Sequence, residues 1–193
     1  MARLFNRNFI VGVTGSIAAY KAAELTRSLI REGANVRVIM TEGACEFITP
    51  LTLQALSGHE VHTDLLDTEA EAAMGHIELA RWADALLIAP ASADSIARLV
   101  QGRADDLLGA CALATPAPVF VAPAMNQEMW AKQATQDNVQ TLVSRGIAML
   151  GPSSGTQACG DVGAGRLLEP DDIVSAVAEH LSTGALSGRH VVI

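Results

Sequence analysis

Residues 8–40 read NFIVGVTGSIAAYKAAELTRSLIREGANVRVIM, and this stretch decides the fold. Asn8–Val13 is a short, mostly apolar run, and VRVIM at 36–40 is a second. Between them Ile17, Tyr20, Leu25 and Leu29 recur at the spacing of one helix face over 16–31, and Gly33 closes that helix. Strands that are apolar along their whole length are buried on both faces, and parallel strands need a crossover helix between them. The stretch therefore predicts one strand–helix–strand unit of a parallel sheet.

The same alternation runs outward from this unit. A helical stretch at 42–56 is interrupted by Pro50, and 60–64 reads as a short third strand. A helix at 76–83 precedes the strongly apolar strand DALLIAP at 84–90. Helices follow at 92–100 and 106–114, then a strand at 118–122, one long helix at 127–145, a strand at 147–150 and a helix at 171–181. The sum is an α/β fold, a doubly wound sheet with helices on both faces, in one domain over 1–181. Residues 151–169, rich in Gly and Ser, have no regular period; loops of that length are often functional lids. Residues 182–189 read as a linker, and HVVI at 190–193 as the opening strand of a second domain.

Composition narrows the class. A chain of 193 residues suits one compact domain, and 50% hydrophobic against 18% charged residues excludes a disordered one. The apolar runs are too short for a membrane span, and the N-terminus has no secretory pattern. A net charge of −8 without a basic cluster argues against nucleic acid. Cys45, Cys111 and Cys159 form no CxxC pair, so neither a zinc knuckle nor a dithiol redox motif is expected. Free thiols fit a cytoplasmic protein; Cys45 and Cys111, in helical stretches, are expected in the core.

The residues that bear chemistry gather where strands end. After the first strand come Thr14, Gly15, Ser16 and Ile17; such a turn meets phosphate with a helix N-terminus and a capping hydroxyl, or is an ordinary tight turn. It is not GxGxxG, so a dinucleotide is not indicated. Thr41 after the second strand suits a phosphate, and the neighbouring Glu42 a ribose. Pro90-Ala91-Ser92-Ala93-Asp94-Ser95 either caps a helix or admits a flat ring closely. Asn126, between Met125 and Gln127, caps a helix or binds a carboxylate. His76 is either structural or a proton-transfer group, with Arg81 five residues on. Cys159 sits among four glycines in eleven residues, a hairpin or flap whose thiol acts as acid or nucleophile if it closes over a site, or has no role. The other four histidines are expected at the surface.

Together GSIAAYK (15–21), GHIELARWAD (75–84), PASADS (90–95), PAMNQEMW (123–130) and ACGDVGAGR (158–166) make the chain resemble the homo-oligomeric flavin-containing cysteine decarboxylases, over about 8–170. The branch it is most similar to acts on 4′-phosphopantothenoylcysteine in coenzyme A biosynthesis, within a bifunctional bacterial protein. The resemblance implies FMN, a Rossmann-like sheet of strand order 3-2-1-4-5-6, trimers gathered into a dodecamer, and a site at a subunit interface. It also implies a fused synthetase domain that makes the substrate. By motif position Gly15, Ser16, Ile17, Thr41, Phe47, Ser92, Ala93, Asp94 and Ser95 would hold FMN. Arg81, Met125, Asn126, Ala158 and Cys159 would bind substrate, and His76, Asn126 and Cys159 would be catalytic, with no metal. The pattern departs from the family's at Asp94 and Ser95, usually Asn and Thr, and at Asp105, usually Asn. Flavin prenyltransferases and regulatory flavoproteins of the same fold are the alternatives; the set of His76, Asn126 and Cys159 argues against both.

Overall fold

A computed structural model describes residues 2–65 and 75–182. Six parallel strands, β1 (Asn8–Val13), β2 (Asn35–Met40), β3 (Val61–His62), β4 (Ala85–Ala91), β5 (Val119–Pro123) and β6 (Ala148–Met149), form one sheet in the order β3-β2-β1-β4-β5-β6. In register, Phe9 lies beside Val36 on one side and Ala85 on the other. The order reverses between β1 and β4, and that reversal opens a crevice at the carboxyl edge of the sheet.

The two-residue alternation of each strand divides the core between two layers. Phe9, Val11, Val13, Val38 and Phe120 pack against α1 (Lys21–Arg31), α3 (Pro50–Ser57) and α9 (Pro170–Ser182). Ile10, Ile39, Leu86, Ile88 and Val121 face α4 (His76–Trp82), α5 (Ala93–Gln101), α6 (Leu107–Ala114) and α8 (Gln133–Ser144). α4 packs against α6, where the Cys111 thiol lies 3.6 Å from the His76 carbonyl.

The structure refines several sequence boundaries. The first helix opens as a 3-10 turn, Ile17–Tyr20, capped by Ser16, before α1 proper. The second helical stretch is two helices: α2 (Glu42–Cys45), capped by Thr41, and α3, with Pro50 in its first turn where a missing N–H costs nothing. The long helix expected at 127–145 breaks at Lys132, whose ψ of 137° is extended, into α7 (Gln127–Ala131) and α8. Gln136 Nε2 donates to the Trp130 carbonyl at 2.6 Å and satisfies a group the break leaves without its helical partner.

The stretch 151–169 contains an antiparallel hairpin, β7 (Ser153–Thr156) with β8 (Val162–Arg166). His62 is buried, not at the surface, because its strand lies against β2; the His180 ring meets the buried Phe120 ring edge-on at 5.1 Å. The expected linker and second-domain strand lie, but for residue 182 at the end of α9, outside the described residues. Among the described residues no helix is long and apolar enough to cross a membrane.

Candidate active site

Thr14 ties the two halves of the sheet edge together. It is buried, its hydroxyl donates to the Pro90 carbonyl at 2.8 Å, and the same oxygen accepts from the Ser92 N–H at 2.9 Å. Thr14 N also donates to that carbonyl at 3.3 Å, so the pairing of β1 with β4 carries on into the turns. The turn after β1 is thereby fixed against the turn after β4. Gly15 completes the tip: a Cβ there would stand 3.1 Å from the Gly43 backbone, so glycine lets the turns after β1 and β2 approach closely without either giving way.

Two serines line the opening from either side. Ser16 accepts from Ala18 N at 3.2 Å; Ser92 accepts from Ser95 N at 3.2 Å and lies 3.0 Å from the Ser95 hydroxyl. Between them lies a crevice of about 610 Å³, within the range of small-molecule sites. It runs from Gly15, Ser16 and Ile17 past Ser92 to Met125, Asn126 and the hairpin. Tyr20 and Lys21 also border a second recess of about 480 Å³. Lys21 donates to Glu169 at 2.8 Å, and Arg166 lies 3.6 Å from the same carboxylate oxygen, so two cations stand at this end of the crevice.

The hairpin is fastened over the other end. Met125 N donates to the Gly165 carbonyl at 2.9 Å. Gln157 anchors the end of β7 below the tip: Nε2 donates to the carbonyls of Met125 at 3.3 Å and Ala164 at 3.4 Å, and Oε1 accepts from Gln127 N at 3.0 Å. Asn126 caps α7 by accepting from Glu128 N at 2.8 Å, which turns its NH2 toward the hairpin tip. There Nδ2 lies 3.6 Å from Cys159 Sγ and 3.2 Å from Asp161 Oδ2, and that carboxylate oxygen is 3.3 Å from the thiol. Cys159 and Asp161 are exposed.

Of the residues expected from sequence, Gly15, Ser16, Ile17, Ser92, Met125, Asn126, Ala158 and Cys159 share this crevice. The rest do not line it. Thr41 caps α2 by accepting from Ala44 N, and Phe47 is half exposed beyond it. Ala93 begins α5, and Ser95 turns inward to Ser92. Arg81 is exposed on α4, and His76 opens that helix on the other face of the sheet. Thr14, Gln157 and Asp161 were not singled out in the sequence, although each lies in a turn that was. Their neighbours across the fold, Pro90, Met125 and Asn126, are 31 residues or more away.

The two unusual aspartates are neutralised locally. Asp94 pairs with Arg98 at 2.7 Å, and Arg98 reaches Asp105 at 3.2 Å, which also pairs with Arg103. The hydrogen bond from Arg103 holds the Asp105 carboxyl below the usual range, and Asp94 holds the Arg98 guanidinium above its own. Cys111 is buried, as expected, and burial pushes its thiol up to about 12; Cys45 is half-buried and its thiol is raised by the same cause.

Comparison with known proteins agrees with this architecture. The chain is 57% identical over 180 residues to the coenzyme A biosynthesis bifunctional protein CoaBC of Haemophilus influenzae, a match that covers 93% of this chain and 45% of that protein. The chain spans about half the length of the curated relatives it matches. A cysteine-to-serine mutant of a PPC decarboxylase, solved with pantothenoylaminoethenethiol, superposes with a TM-score of 0.80 at 33% identity, covering 91% of this chain and 98% of that one. The FMN-dependent cysteine decarboxylase SpaF gives 0.78 at 32% identity, covering 95% and 99%. The Flavoprotein family model matches residues 3–182, and with nearly all described residues inside that match the chain belongs to the Flavoprotein family.

Proposed function

We propose that this chain is a cytoplasmic FMN-dependent decarboxylase that converts 4′-phosphopantothenoylcysteine to 4′-phosphopantetheine in coenzyme A biosynthesis. The observation that carries the reading is the meeting of Asn126 Nδ2 and Cys159 Sγ, 3.6 Å apart, over a crevice that begins at Gly15 and Ser16. A carboxylate-binding amide beside a thiol on a hairpin is what loss of carbon dioxide from a cysteine, followed by protonation, requires.

The residues present fit FMN. Gly15 keeps the tip free of a side chain, Ser16 and Ser92 line the crevice from either side, and Ala124 and Met125 add apolar lining for a flat ring. By motif position Thr41 and Phe47, and Ala93, Asp94 and Ser95 in the first turn of α5, would also contact FMN, from beside the crevice walls of the single chain. When bound, FMN supplies the two-electron oxidation of the substrate thiol that creates an electron sink, and later returns the electrons. Asn126 orients the substrate carboxylate, Met125 packs beside it, and the hairpin with Ala158 and Cys159 closes over the guest and keeps water out. Cys159 then donates a proton to the decarboxylated carbon. Lys21 and Arg166 stand where the phosphorylated arm leaves the crevice.

His76 does not line the crevice of its own chain. We therefore assign it, with Arg81, to the site of a neighbouring copy in a homotrimer that further assembles to a dodecamer. As in the bifunctional relatives, a fused synthetase domain would supply the substrate.

Incubation of the purified protein, expected to be yellow, with 4′-phosphopantothenoylcysteine tests the reading by product mass. Wild type should yield 4′-phosphopantetheine. Cys159→Ser should still release carbon dioxide but stop at a product two hydrogens short. A colourless protein, or full pantetheine yield from Cys159→Ser, contradicts the respective assignment.

A further inference from the structure

Asn126 already holds a carboxylate, and it belongs to the chain itself. Asp161 Oδ2 lies 3.2 Å from Asn126 Nδ2 and 3.3 Å from Cys159 Sγ. The Asn126 side-chain oxygen Oδ1 accepts from Glu128 N, and its NH2 donates to Gln157 Oε1 at 3.4 Å as well as to Asp161, so the N–H left to meet a substrate carboxylate is the one Asp161 occupies. Two carboxylates cannot share one donor without strong repulsion. Resting on the function proposed above, we propose that Asp161 is a positioning residue that stands in for the substrate carboxylate. It is displaced when substrate binds and returns when carbon dioxide leaves.

The hairpin is built for such an exchange. Its base is fixed by Gln157 and by the Met125–Gly165 bond, while the tip residues Ala158–Asp161 are exposed. Residues 158–161 form one turn hinged on Gln157: Gly160 N donates to the Gln157 carbonyl at 2.9 Å and Gln157 N to the Asp161 carbonyl at 2.7 Å. Substrate binding therefore pushes Asp161, and with it Cys159, off the amide. When the bond to the carboxylate breaks, its electron pair stays on the carbon, conjugated with the oxidised sulfur, and carbon dioxide departs. The negative charge in front of Asn126 is gone. Asp161 swings back to the amide and draws Cys159 over that carbon. The thiol proton passes to the carbon, and the exposed thiolate takes another from water. Proton delivery is thus timed by the loss of the charge it must follow.

The test uses holoprotein and 4′-phosphopantothenoylcysteine. Asp161→Asn, on an exposed tip, should keep the flavin spectrum of wild type. Its KM should fall severalfold because an internal competitor is removed, while the ratio of oxidised to fully reduced product should rise about tenfold. Asp161→Glu should recover much of the wild-type ratio. Independently of turnover, iodoacetamide labelling of Cys159 should accelerate when wild type binds the S-methyl ether of the substrate. It should not respond to the S-methyl ether of 4′-phosphopantetheine, which lacks the carboxylate; in Asp161→Asn the two should act alike. An unchanged KM and product ratio in Asp161→Asn, or equal labelling of wild type with both ethers, overturns the role of Asp161. Absence of carbon dioxide release by wild type would instead remove the decarboxylase reading itself.

Discussion

A single hydroxyl, that of Thr14, fixes the distance between the two tips that frame the crevice. Thr14→Val keeps the shape and removes both bonds, leaving the Ser92 N–H without its acceptor. That should cost about 1–3 kcal/mol and weaken flavin retention, whereas Thr14→Ser should cost less. Urea unfolding and the flavin dissociation constant of the three proteins check this. Cys111 makes a different prediction at the same scale. Its folded thiol titrates near 12, against an ordinary value of 9.0. Below pH 9 both states hold the proton and the group contributes no pH dependence. Between 9 and 12 the unfolded chain gives up its proton while the folded one keeps it, so stability falls as pH rises. In a background with Cys45 and Cys159 replaced by serine, Cys111→Ala should flatten the decline of urea stability from pH 8 to 10. The native Cys111 should resist thiol reagents until the chain unfolds.

Among the elements, the hairpin is the one whose attachment decides chemistry more than folding. It forms a two-stranded sheet of its own and reaches the Asn126 turn through Gln157 and Gly165. Gly165 has φ +134°, and a Cβ there would collide with the Met125 carbonyl. Gly165→Ala should therefore lift the hairpin from the Asn126 turn while the parallel sheet, whose ladders it does not touch, keeps its stability within about 1 kcal/mol. Limited proteolysis should cut faster within 153–166, and turnover should drop at least about tenfold. Cutting at the wild-type rate, with undiminished activity, would show that this contact is incidental.

At the scale of the whole molecule, the residues assigned to the proposed site lie in two places on one chain. Asn126 and Cys159 line the crevice; His76 and Arg81 ride on α4 against the other face of the sheet. Ile17 and Tyr20 in the 3-10 turn, Phe47 after α2 and Leu51 in α3 expose large apolar side chains, which the proposed oligomer would cover. His76→Asn and Asn126→Asp chains should each be inactive alone. Mixed by co-expression, they should regain activity, up to roughly a quarter of the wild-type sites by random assortment around a ring of heterologous contacts. No recovery in mixed oligomers confirmed by native mass spectrometry would place both residues in one protomer's site.

The parallel sheet was legible in the sequence because burial on both faces demands apolar runs, and the short turns between strands and helices carry glycine, serine and asparagine for local steric and capping reasons. Gly15, Ser16, Ser92, Asn126 and Cys159, which line the crevice, stand out that way, each at a strand end or in a glycine-rich turn. The break at Lys132 was not, because the helical pattern runs through it and a side chain, Gln136, satisfies the carbonyl the break frees. Nor did local pattern reveal Thr14, Gln157 and Asp161 as parts of the site. Their partners lie on other turns, and only the packing of β1 against β4, and of the hairpin against the Asn126 turn, brings those groups within hydrogen-bonding distance. The order of apolar and polar residues thus set the layers and the edge at which chemistry collects. Which hydroxyl, amide and carboxylate meet there was decided by the tertiary structure, since hydrogen bonds form between neighbours in space.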